Sequence, residues 1–452
     1  MKTDVFHAYD VRGIYPDEIN EEISYKIGKA FAEYLYEEYS LKKRLTVVIG
    51  RDMRSSSGPL FDSLSNGMTE RGIDIIDVGV CTTPMIGFSV INDDLDGGVV
   101  ISASHSSSEY NGLKFLKKKA FQLGEGLGLE KIKKNFQKND FKNVGFARGK
   151  ISKRDVLNDY LEHLGKFGKN IKDLKIVVDY GNGIGAVSGK PFFESLDIEV
   201  VSMYEKPDDS FPNHFADPHD LKNLLDLENK VKEEQADLGI FFDGDADRSV
   251  LVDENGDFIP MDLWVSFLAE NELKGKPSRE NIYYDLRFSR SLADVVEKNG
   301  GTPVIMRVGN PFYKAKLIED GGIMAAELSG HVMFKENFCL DDGLFAAVKT
   351  MSMLCRKDKK ISELLKPYKK YFTSDEMSFK VSGDVDAVLE KVKEAFRDGE
   401  NVELDGIYIK YDDWWFNLRK SNTEPKVRLR LEADTEKKLD EMKKKLVNLI
   451  QK

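Results

Sequence analysis

The stretch Ile101–Lys114 reads I-S-A-S-H-S-S-S-E-Y-N-G-L-K, and the apolar segment from Gly98 to Ile101 precedes it. This pattern predicts a buried β-strand that ends in a serine-rich loop with an Asn-Gly turn. Open α/β sheets place ligand chemistry at the carboxyl ends of such strands. Ser104 is therefore a candidate site of phosphorylation. The loop taken alone is more typical of an ordinary surface turn.

Length and charge limit the classes of protein that this chain can represent. The 452 residues are too many for one core and suggest roughly three or four domains. The formal net charge of −11 argues against a nucleic-acid or anionic-membrane partner, because both need a basic surface. Any anionic ligand must then be met by positive charge concentrated at one place.

The cysteines and the hydropathy pattern point to a reducing compartment. Cys81, Cys339 and Cys355 are far apart and form no C-x-x-C, so neither a disulfide framework nor a zinc site is expected. The N-terminal residues lack an apolar signal segment, and no apolar run approaches the ~20 residues of a membrane span. We expect a cytoplasmic protein that is a monomer or a weak dimer.

Helix and strand patterns divide the chain into three similar α/β rounds and a different C-terminal part. The predicted domains are 1–150, 151–249, 250–366 and 367–452. A glycine starts a late apolar strand in each of the first three, at Gly98, Gly239 and Gly322. Each of these strands runs into a polar loop, S-A-S-H, D-G-D-A-D-R or E-L-S-G-H. Alternating strands and helices predict largely parallel sheets, whose carboxyl edges could bring the three loops to one cleft.

The loop D-G-D-A-D-R predicts a metal site. In an extended segment the side chains of Asp243, Asp245 and Asp247 point the same way, and three converging carboxylates suit a hard divalent cation. An EF-hand loop is excluded because Arg248 occupies the position that needs glycine, and because both flanks resemble strands. An acidic surface turn is the remaining alternative.

Two further stretches suggest ligand contacts. Arg419–Arg428, R-K-S-N-T-E-P-K-V-R, combines arginines, lysines and hydroxyl groups that suit a phosphate, or else forms a solvated basic turn. Glu327, Ser329 and His331 follow a strand and offer groups that bind sugar hydroxyls, and structural caps are the alternative.

The stretch Asp179–Ala186, D-Y-G-N-G-I-G-A, matches a dinucleotide-binding fingerprint, with Glu205 further along the chain. The fingerprint is weak alone and explains none of the other loops. We interpret its glycines as a tight strand-to-helix turn, and an NAD-dependent oxidoreductase is kept as a competing hypothesis.

The four loops together resemble the motifs of the α-D-phosphohexomutases. That family has a serine loop T-A-S-H-N-P, a metal loop D-G-D-x-D-R, a sugar loop G-E-x-S-G-H and a phosphate loop R-x-S-N/G-T-E-P-x-x-R. Here they read S-A-S-H-S-S, D-G-D-A-D-R, A-E-L-S-G-H and R-K-S-N-T-E-P-K-V-R, in the family order. The resemblance covers the whole chain. It implies three repeated α/β domains with mixed, mostly parallel sheets and a C-terminal α+β domain around a central cleft.

The resemblance also implies roles for individual residues. Ser104 would carry the phosphoryl group, and the implied ligands of Mg²⁺ are Ser104, through its phosphate, Asp243, Asp245 and Asp247. The implied catalytic residues are Ser104, His105, Lys114, Arg12 and Arg248. The implied substrate-binding residues are Tyr9, Arg287, Glu327, Ser329, His331, Arg419, Ser421, Asn422, Thr423 and Arg428.

The activity so implied is interconversion of hexose 1-phosphate and hexose 6-phosphate through a phosphoserine and a hexose 1,6-bisphosphate, which also serves as activator. A-Y-D-V-R-G and S-N-T-E-P resemble the phosphomannomutase/phosphoglucomutase branch more than the phosphoglucosamine mutases. A phosphoserine-dependent sugar phosphatase is a further alternative. Three departures occur: Ser102 for threonine, Ser106-Ser107 for Asn-Pro, and Ala326 for glycine. The second could loosen the serine loop, because it removes a proline that restricts φ.

Overall fold

The structure is a computed structural model, and it describes residues 5–39, 43–141, 145–381, 384–420 and 426–451. The chain forms two compact units that alternate along the sequence. The first unit comprises the residues up to 259, 314–320 and 329–362, and the second comprises 260–313, 321–328 and 363–452.

The first sheet belongs to the first unit. Its elements are β1 (Val11–Ile14), α1 (Glu21–Tyr39), β2 (Thr46–Arg51), α2 (Ser57–Glu70), β3 (Asp74–Val80), α3 (Thr83–Asn92), β4 (Gly97–Ile101), β5 (Tyr110–Lys117), β6 (Phe121–Gln122), α4 (Leu129–Lys138) and β7 (Ile151–Lys153). The strand order is β1-β5-β4-β2-β3-β7, with β6 beside β5. Strand β2 pairs in parallel with β3 and β4, whereas β5 is antiparallel to its neighbours.

This sheet continues past the predicted boundary at residue 150, because β7 pairs in parallel with β3. All three residues of β7 are exposed. An exposed edge strand has the polar composition of a linker, and composition alone therefore places the boundary too early.

The second sheet also belongs to the first unit. Its elements are α5 (Leu157–Gly168), β8 (Lys172–Asp179), α6 (Ala186–Glu194), β9 (Asp197–Met203), α7 (Leu225–Glu234), β10 (Leu238–Phe242), β11 (Ser249–Val252) and β12 (Phe258–Ile259). The order is β12-β11-β10-β8-β9. Strands β11 and β12 follow β10 as antiparallel neighbours, so this sheet extends beyond the predicted end at residue 249. A strand pattern does not reveal which sheet the strand will join.

The third α/β round is divided between the units. Its elements are α8 (Met261–Leu273), β13 (Asn281–Asp285), α9 (Arg290–Lys298), β14 (Thr302–Met306), α10 (Asn310–Glu319), β15 (Met324–Ala326), β16 (Val332–Phe334), β17 (Leu340–Asp341), α11 (Gly343–Leu354) and α12 (Ile361–Leu365). In the second unit, β13 pairs in parallel with both β14 and β15. In the first unit, β16 and β17 form an antiparallel pair.

The C-terminal part is an antiparallel sheet with two helices, which confirms the predicted α+β character. Its elements are β18 (Phe372–Thr373), β19 (Met377–Lys380), α13 (Val385–Ala395), β20 (Glu400–Val402), β21 (Ile407–Lys410), β22 (Trp414–Lys420), β23 (Lys426–Ala433) and α14 (Glu436–Gln451). The order is β18-β23-β22-β21-β20, with β19 also beside β23. Helix α14 buries Met442, Leu446 and Ile450, whose i, i+4, i+8 spacing gives one apolar face.

The predicted repeat is visible in the strand pairing. Strands β4, β10 and β15 each pair in parallel with an earlier strand of the same round, and each precedes one of the three polar loops. Strands β4 and β10 then continue into an antiparallel neighbour, β5 and β11. Among the described helices, none has both the length and the apolar composition needed to cross a membrane.

Helices α1 and α2 pack with their backbones in direct contact, because each has a glycine at the contact. A Cβ on Gly28 would lie 2.3 Å from the carbonyl oxygen of Leu64, and a Cβ on Gly67 would lie 2.1 Å from that of Tyr25. Side chains of both helices, Phe31 among them, belong to the core that covers the first sheet.

Gly67→Ala should lower the free energy of unfolding by about 1–3 kcal/mol, because the added methyl group overpacks the contact between α1 and α2. Gly165→Ala in α5 is the matched control, since no heavy atom lies within 4 Å of a Cβ there. That control should raise stability by about 0.5–1 kcal/mol through helix propensity. Urea unfolding followed by circular dichroism measures both, and a destabilised Gly165→Ala would contradict the reasoning.

Candidate active site

Ser104 lies in the loop between β4 and β5, at the end of a strand that is buried along its whole length. Its φ is 50°, a left-handed conformation that surrounding contacts must hold in a residue other than glycine. The residue is 4% exposed, and its Oγ donates to Asp243 Oδ2 at 2.7 Å. Arg248 Nη2 lies 3.1 Å from the same Oγ, and His105 Nδ1 lies 3.2 Å from it. The hydroxyl therefore contacts a carboxylate, a guanidinium group and an imidazole.

The three aspartates converge as predicted, and all are buried. Their carboxylate oxygens lie within 4.8 Å of one another. The extended geometry that we expected for them is wrong, however. Because β10 and β11 are antiparallel neighbours, the chain must reverse between them, and Ala246 adopts a φ of 59° in this turn. The turn itself, and not the alternation of a strand, brings the carboxylates together.

These carboxylates fit a divalent cation. Lys114 Nζ donates to Asp245 Oδ2 at 2.7 Å and to Asp247 Oδ2 at 2.6 Å. The other oxygen of each, Oδ1, is buried without a hydrogen-bond partner among the described residues. Buried anionic oxygens are costly unless a cation or a donor meets them. Oxygen ligands of this kind suit Mg²⁺, with Asp243 and an oxygen on Ser104 completing the donor set.

Burial and neighbouring cations shift the titration of the carboxylates in opposite directions. Burial raises the pKa of Asp243 above its usual range, although Arg248 acts against this shift. Burial alone would also raise the pKa of Asp245, but Lys114 lowers it overall. Two aspartate carboxylates in the same turn therefore differ in proton affinity: that of Asp243 is raised and that of Asp245 is lowered.

The pKa values of the two predicted acid/base residues, Lys114 and His105, are shifted in opposite directions. Burial alone would lower the pKa of the Lys114 ammonium, but Asp245 and Asp247 raise it above its usual range. Burial lowers the pKa of His105 well below its usual value, and the cation of Arg248 lowers it further. Lys114 is thus a cation at neutral pH, whereas His105 is a neutral imidazole in hydrogen-bond reach of Ser104.

Arg54 holds the serine loop by its backbone. Its guanidinium donates to the carbonyl oxygens of Ser104 at 3.1 Å, Ser106 at 2.5 Å, Ser107 at 2.6 Å and Tyr110 at 3.0 Å. The Arg54 side chain is fully buried. Charge-assisted bonds to four carbonyl groups fix the path of a loop that lacks the family's proline.

The remaining contacts of the serine loop come from both of its sides. Arg54 is itself held by Asp52 Oδ2 at 3.1 Å. Arg12 Nη1 donates to Ser106 Oγ at 2.8 Å, and Arg12 Nη2 pairs with Asp10 at 2.7 Å. One of the two serines that replace Asn-Pro thus contacts a predicted catalytic residue. Tyr9, beside Asp10, is half-buried.

Glycines bring three loops of the first unit into backbone contact. A Cβ on Gly244 would lie 2.3 Å from the carbonyl oxygen of Ser104, and a Cβ on Gly183 would lie 2.8 Å from that of Gly244. Ile184 N donates to the same Gly244 oxygen at 3.0 Å. The G-N-G segment therefore supports the metal loop.

The competing dinucleotide-binding hypothesis needs Glu205 to bind a ribose hydroxyl. Both carboxylate oxygens of Glu205 instead accept bonds from Lys190 Nζ, at 2.8 and 2.7 Å. Together with the packing of Gly183, this pairing favours the structural interpretation of the glycines.

The S-G-H part of the predicted sugar motif lies beside the metal loop. His331 Nδ1 is 3.4 Å from Asp341 Oδ1 and 3.9 Å from Asp247 Oδ1. A Cβ on Gly330 would lie 3.2 Å from the carbonyl oxygen of Ser249. Ser329 Oγ is buried and has no hydrogen-bond partner within the described part of the chain.

The second unit brings together the other predicted cations. Arg287, Arg419 and Arg428 all contact the carboxylate of Glu376, at 3.3, 3.0 and 3.3 Å. Arg287 also lies 3.4 Å from Glu327 Oε1. These residues, with Asp285, are called the arginine cluster below. The predicted Ser421, Asn422 and Thr423 lie outside the described residues.

Sequence reasoning missed several residues of these sites, among them Arg54, Thr83 and Glu376. Arg54 follows β2 in the stretch G-R-D-M-R, so the rule that selected the other loops could have found it. Thr83 Oγ1 donates to Asp245 Oδ2 at 2.6 Å from the start of α3. Glu376 lies between two short strands, and no pattern in the sequence marks it.

Family models match nearly the whole chain. The models described as phosphoglucomutase/phosphomannomutase alpha/beta/alpha domains I, II and III match residues 3–143, 158–256 and 260–371, and the model of the C-terminal domain matches 376–449.

Individual proteins match over similar lengths. A phosphomannomutase of Escherichia coli is 34% identical, over 96% of this chain and 95% of its own. A phosphomannomutase of Methanocaldococcus jannaschii is 36% identical, over 99% of this chain and 98% of its own. The crystal structure of a phosphoglucomutase/phosphomannomutase family protein from Burkholderia thailandensis superposes with a TM-score of 0.89 at 30% identity, over 99% and 97% of the two chains. The chain therefore belongs to the phosphoglucomutase/phosphomannomutase family.

Proposed function

We propose that this chain interconverts hexose 1-phosphate and hexose 6-phosphate, with mannose, glucose or both as the sugar, through phospho-Ser104 and a hexose 1,6-bisphosphate. One observation carries the proposal. The Ser104 hydroxyl is buried against Asp243 and Arg248, in a turn whose three carboxylates fit a divalent cation. The full-length similarity to phosphomannomutases and a phosphoglucomutase supports the same activity.

In the first half-reaction, phospho-Ser104 transfers its phosphoryl group to the free hydroxyl of the hexose monophosphate. The bond between phosphorus and Ser104 Oγ breaks, and a bond between phosphorus and the sugar oxygen forms. Arg248, at hydrogen-bond distance from Oγ, is placed to stabilise charge on the transferring group. Such transfer depends mostly on positioning and on neutralisation of charge.

The proton of the attacking hydroxyl needs an acceptor, and Ser104 Oγ needs a donor when it leaves as an alcohol. His105 and Lys114 are the groups we assign to these roles. The assignment rests on position: His105 Nδ1 lies 3.2 Å from Ser104 Oγ, and Lys114, held by Asp245 and Asp247, carries its proton beside the same site. Because the second half-reaction runs in reverse, both residues exchange roles in it.

Asp243, Asp245, Asp247 and the phosphate on Ser104 would hold Mg²⁺. A bound Mg²⁺ would withdraw charge from the phosphoryl oxygens and so make the phosphorus more open to attack by a hydroxyl. The protein's own contribution is to bury the three carboxylates and to fix them, Asp245 and Asp247 by Lys114 and Asp243 by Arg248.

The phosphate that does not react is assigned to the arginine cluster, with Glu327, Ser329 and His331 assigned to the sugar hydroxyls and Tyr9 and Arg12 to further substrate contacts. Guanidinium groups bind phosphate oxygens in pairs, which fixes orientation as well as position. The bisphosphate must turn between the half-reactions, so that each phosphate meets Ser104 once. Free hexose 1,6-bisphosphate would keep Ser104 phosphorylated and act as the activator.

The compartment and assembly that we propose are the cytoplasm and a monomer or weak dimer. All three cysteines are free thiols, and two of them, Cys81 and Cys339, are buried. Unpaired thiols are usual where the redox environment keeps them reduced. The partners are small sugar phosphates.

A sugar phosphatase would use the same phosphoserine but would pass the phosphoryl group to water. It would release inorganic phosphate and would need no bisphosphate. Parallel kinetics on mannose 1-phosphate, glucose 1-phosphate and glucosamine 1-phosphate, with inorganic phosphate measured alongside, separate the mutases from one another and from the phosphatase.

Ser104→Ala should lower the turnover of glucose 1-phosphate to glucose 6-phosphate at least about 10³-fold, because the phosphoryl carrier is lost. A dehydrogenase-coupled assay measures the product, and mass spectrometry locates the phosphate after incubation with glucose 1,6-bisphosphate. Ser108→Ala is the control, since Ser108 is an exposed serine of the same loop. Near-normal turnover by Ser104→Ala, or label on Ser106 or Ser107, would refute the assignment.

Asp245→Asn should raise the Mg²⁺ concentration for half-maximal activity by at least about tenfold, since one anionic ligand is lost. Binding of Mn²⁺, followed by electron paramagnetic resonance, should weaken by a similar factor without reference to turnover. Asp197→Asn, at an exposed residue of β9, changes the net charge equally and should leave both values unchanged. Unaltered Mn²⁺ binding in Asp245→Asn would place the metal elsewhere.

Arg54→Lys should lower kcat about 10–100-fold, while KM for glucose 1-phosphate stays within about twofold. The reason is that Arg54 positions Ser104 through four carbonyl groups and is assigned no contact with the substrate. Arg51→Lys is the control, because Arg51 is the last residue of β2, three residues before Arg54, but pairs with Asp77 at 2.7 Å. A change confined to KM would show that Arg54 binds substrate and does not position the serine.

A further inference from the structure

Glu376 connects three arginines through one carboxylate. Its Oε1 accepts from Arg419 Nη2 at 3.0 Å and from Arg287 Nη1 at 3.3 Å, and its Oε2 accepts from Arg428 Nη1 at 3.3 Å. The arginines come from the segment after β13, from β22 and from β23. A single side chain thus joins cations from three separate segments of the second unit.

The carboxylate is ionised and its backbone is fixed. Burial alone would raise the pKa of Glu376, but the three arginines lower it far below its usual range. Two residues earlier, Ser374 N donates to Leu431 O at 2.9 Å, and Leu431 N donates to Ser374 Oγ at 3.1 Å. The position of Glu376 beside β23 is therefore set by the sheet.

The charges of the arginine cluster balance. Asp285 holds Arg287 by two bonds of 2.9 Å, and Glu327 lies 3.4 Å from the same guanidinium. Three arginines face three carboxylates, those of Asp285, Glu327 and Glu376, so these six groups sum to zero. A phosphate dianion that enters a neutral cluster gains less than one that enters a cationic site.

The cluster also has an unused donor. Arg419 is 4% exposed, and its Nε is a buried atom without a hydrogen-bond partner in the part of the chain that the structure describes. A buried N–H of this kind is costly unless an acceptor reaches it. The guanidinium fork of Arg419 thus retains the capacity to bind one further oxygen while Glu376 occupies its Nη2.

We propose that Glu376 is an internal competitor for the phosphate group of the substrate: it holds the three arginines together and limits how tightly they bind that phosphate. The inference rests on the proposed function, in which the arginine cluster takes the phosphate that does not react. A carboxylate and a phosphate present the same planar pair of oxygens to a guanidinium fork. They therefore compete for the same donors on Arg287, Arg419 and Arg428.

A limited affinity of the arginine cluster for phosphate favours a reaction in which the bisphosphate intermediate must turn between the two half-reactions. The bisphosphate has to leave the arginine cluster and return with its other phosphate. Binding that is equally strong in the ground state and the transition state does not accelerate chemistry, and a tightly held intermediate turns and leaves slowly. Glu376 takes over the arginines when the phosphate departs, which lowers the cost of that departure.

Glu376→Gln tests the proposal, because glutamine keeps the size and one acceptor but removes the charge. Inorganic phosphate is the probe, and its Kd is measured on the full chain by isothermal titration calorimetry. We expect Kd to fall about tenfold, with a steeper dependence on salt, since the six groups then carry a net charge of +1. In the coupled assay, KM and kcat for glucose 1-phosphate should fall together.

The controls locate the effect. Asp413→Asn changes the net charge of the same unit equally, at a half-exposed carboxylate that pairs with Lys438 at 3.2 Å, and should leave Kd unchanged. Glu376→Gln combined with Arg419→Gln should lose the gain in affinity. An unchanged or higher Kd in a folded Glu376→Gln protein would overturn the inference and show that Glu376 only holds the three arginines in place. Calorimetry needs no turnover, so the inference and the proposed mutase activity can fail independently.

Discussion

The interaction on which this site depends is the mutual repulsion of three buried carboxylates beside one serine. Asp243, Asp245 and Asp247 lie in a single turn, and burial makes their charges expensive unless cations meet them. Lys114 reaches them from β5 and Arg248 follows directly in the turn. The hairpin of β4 and β5 is therefore coupled to the hairpin of β10 and β11. Ser104, between these charges, can be held in a conformation that is unfavourable for serine.

The coupling also needs backbones that approach closely. Gly244 leaves room for the carbonyl of Ser104, and Gly183 leaves room for Gly244. Arg54 then binds the carbonyl groups of the serine loop, including that of Ser106, at the position of the Asn-Pro pair in the motif that this loop resembles. Restriction of φ by a ring and charge-assisted bonds to carbonyl groups are two physical means to the same rigidity.

A chain with a negative net charge can bind an anionic ligand when its cationic side chains are clustered and are paired with carboxylates. The net charge is −11, yet Arg12, Lys114 and Arg248 converge near Ser104, and three arginines converge on Glu376. In both places the cations are paired with carboxylates, so the field is local. Such pairing favours selective and reversible binding over tight retention.

Much of the fold and of the candidate site could be predicted from sequence. The periodicity of apolar residues and the residue types of turns are local properties of the sequence. They identified the three α/β rounds, the strands β4, β10 and β15, and the loops that follow them. Residue chemistry identified Ser104, the three aspartates and the arginine-rich segment. The α+β character of the last part followed from its changed pattern. The four loops match the family's motifs and occur in the same order, and this resemblance implied the roles of individual residues.

Only the tertiary structure decided which strands share a sheet and which charges meet. The sheet of β7, the reversal of the chain at Ala246 and the pairing of Lys114 with Asp245 depend on contacts between residues far apart in sequence. Glu376 was missed for the same reason, and so were the four carbonyl partners of Arg54, although its place after β2 could have marked Arg54 itself. A carboxylate that joins arginines from three segments has no local pattern. Its function is set by neighbours that packing alone brings within reach.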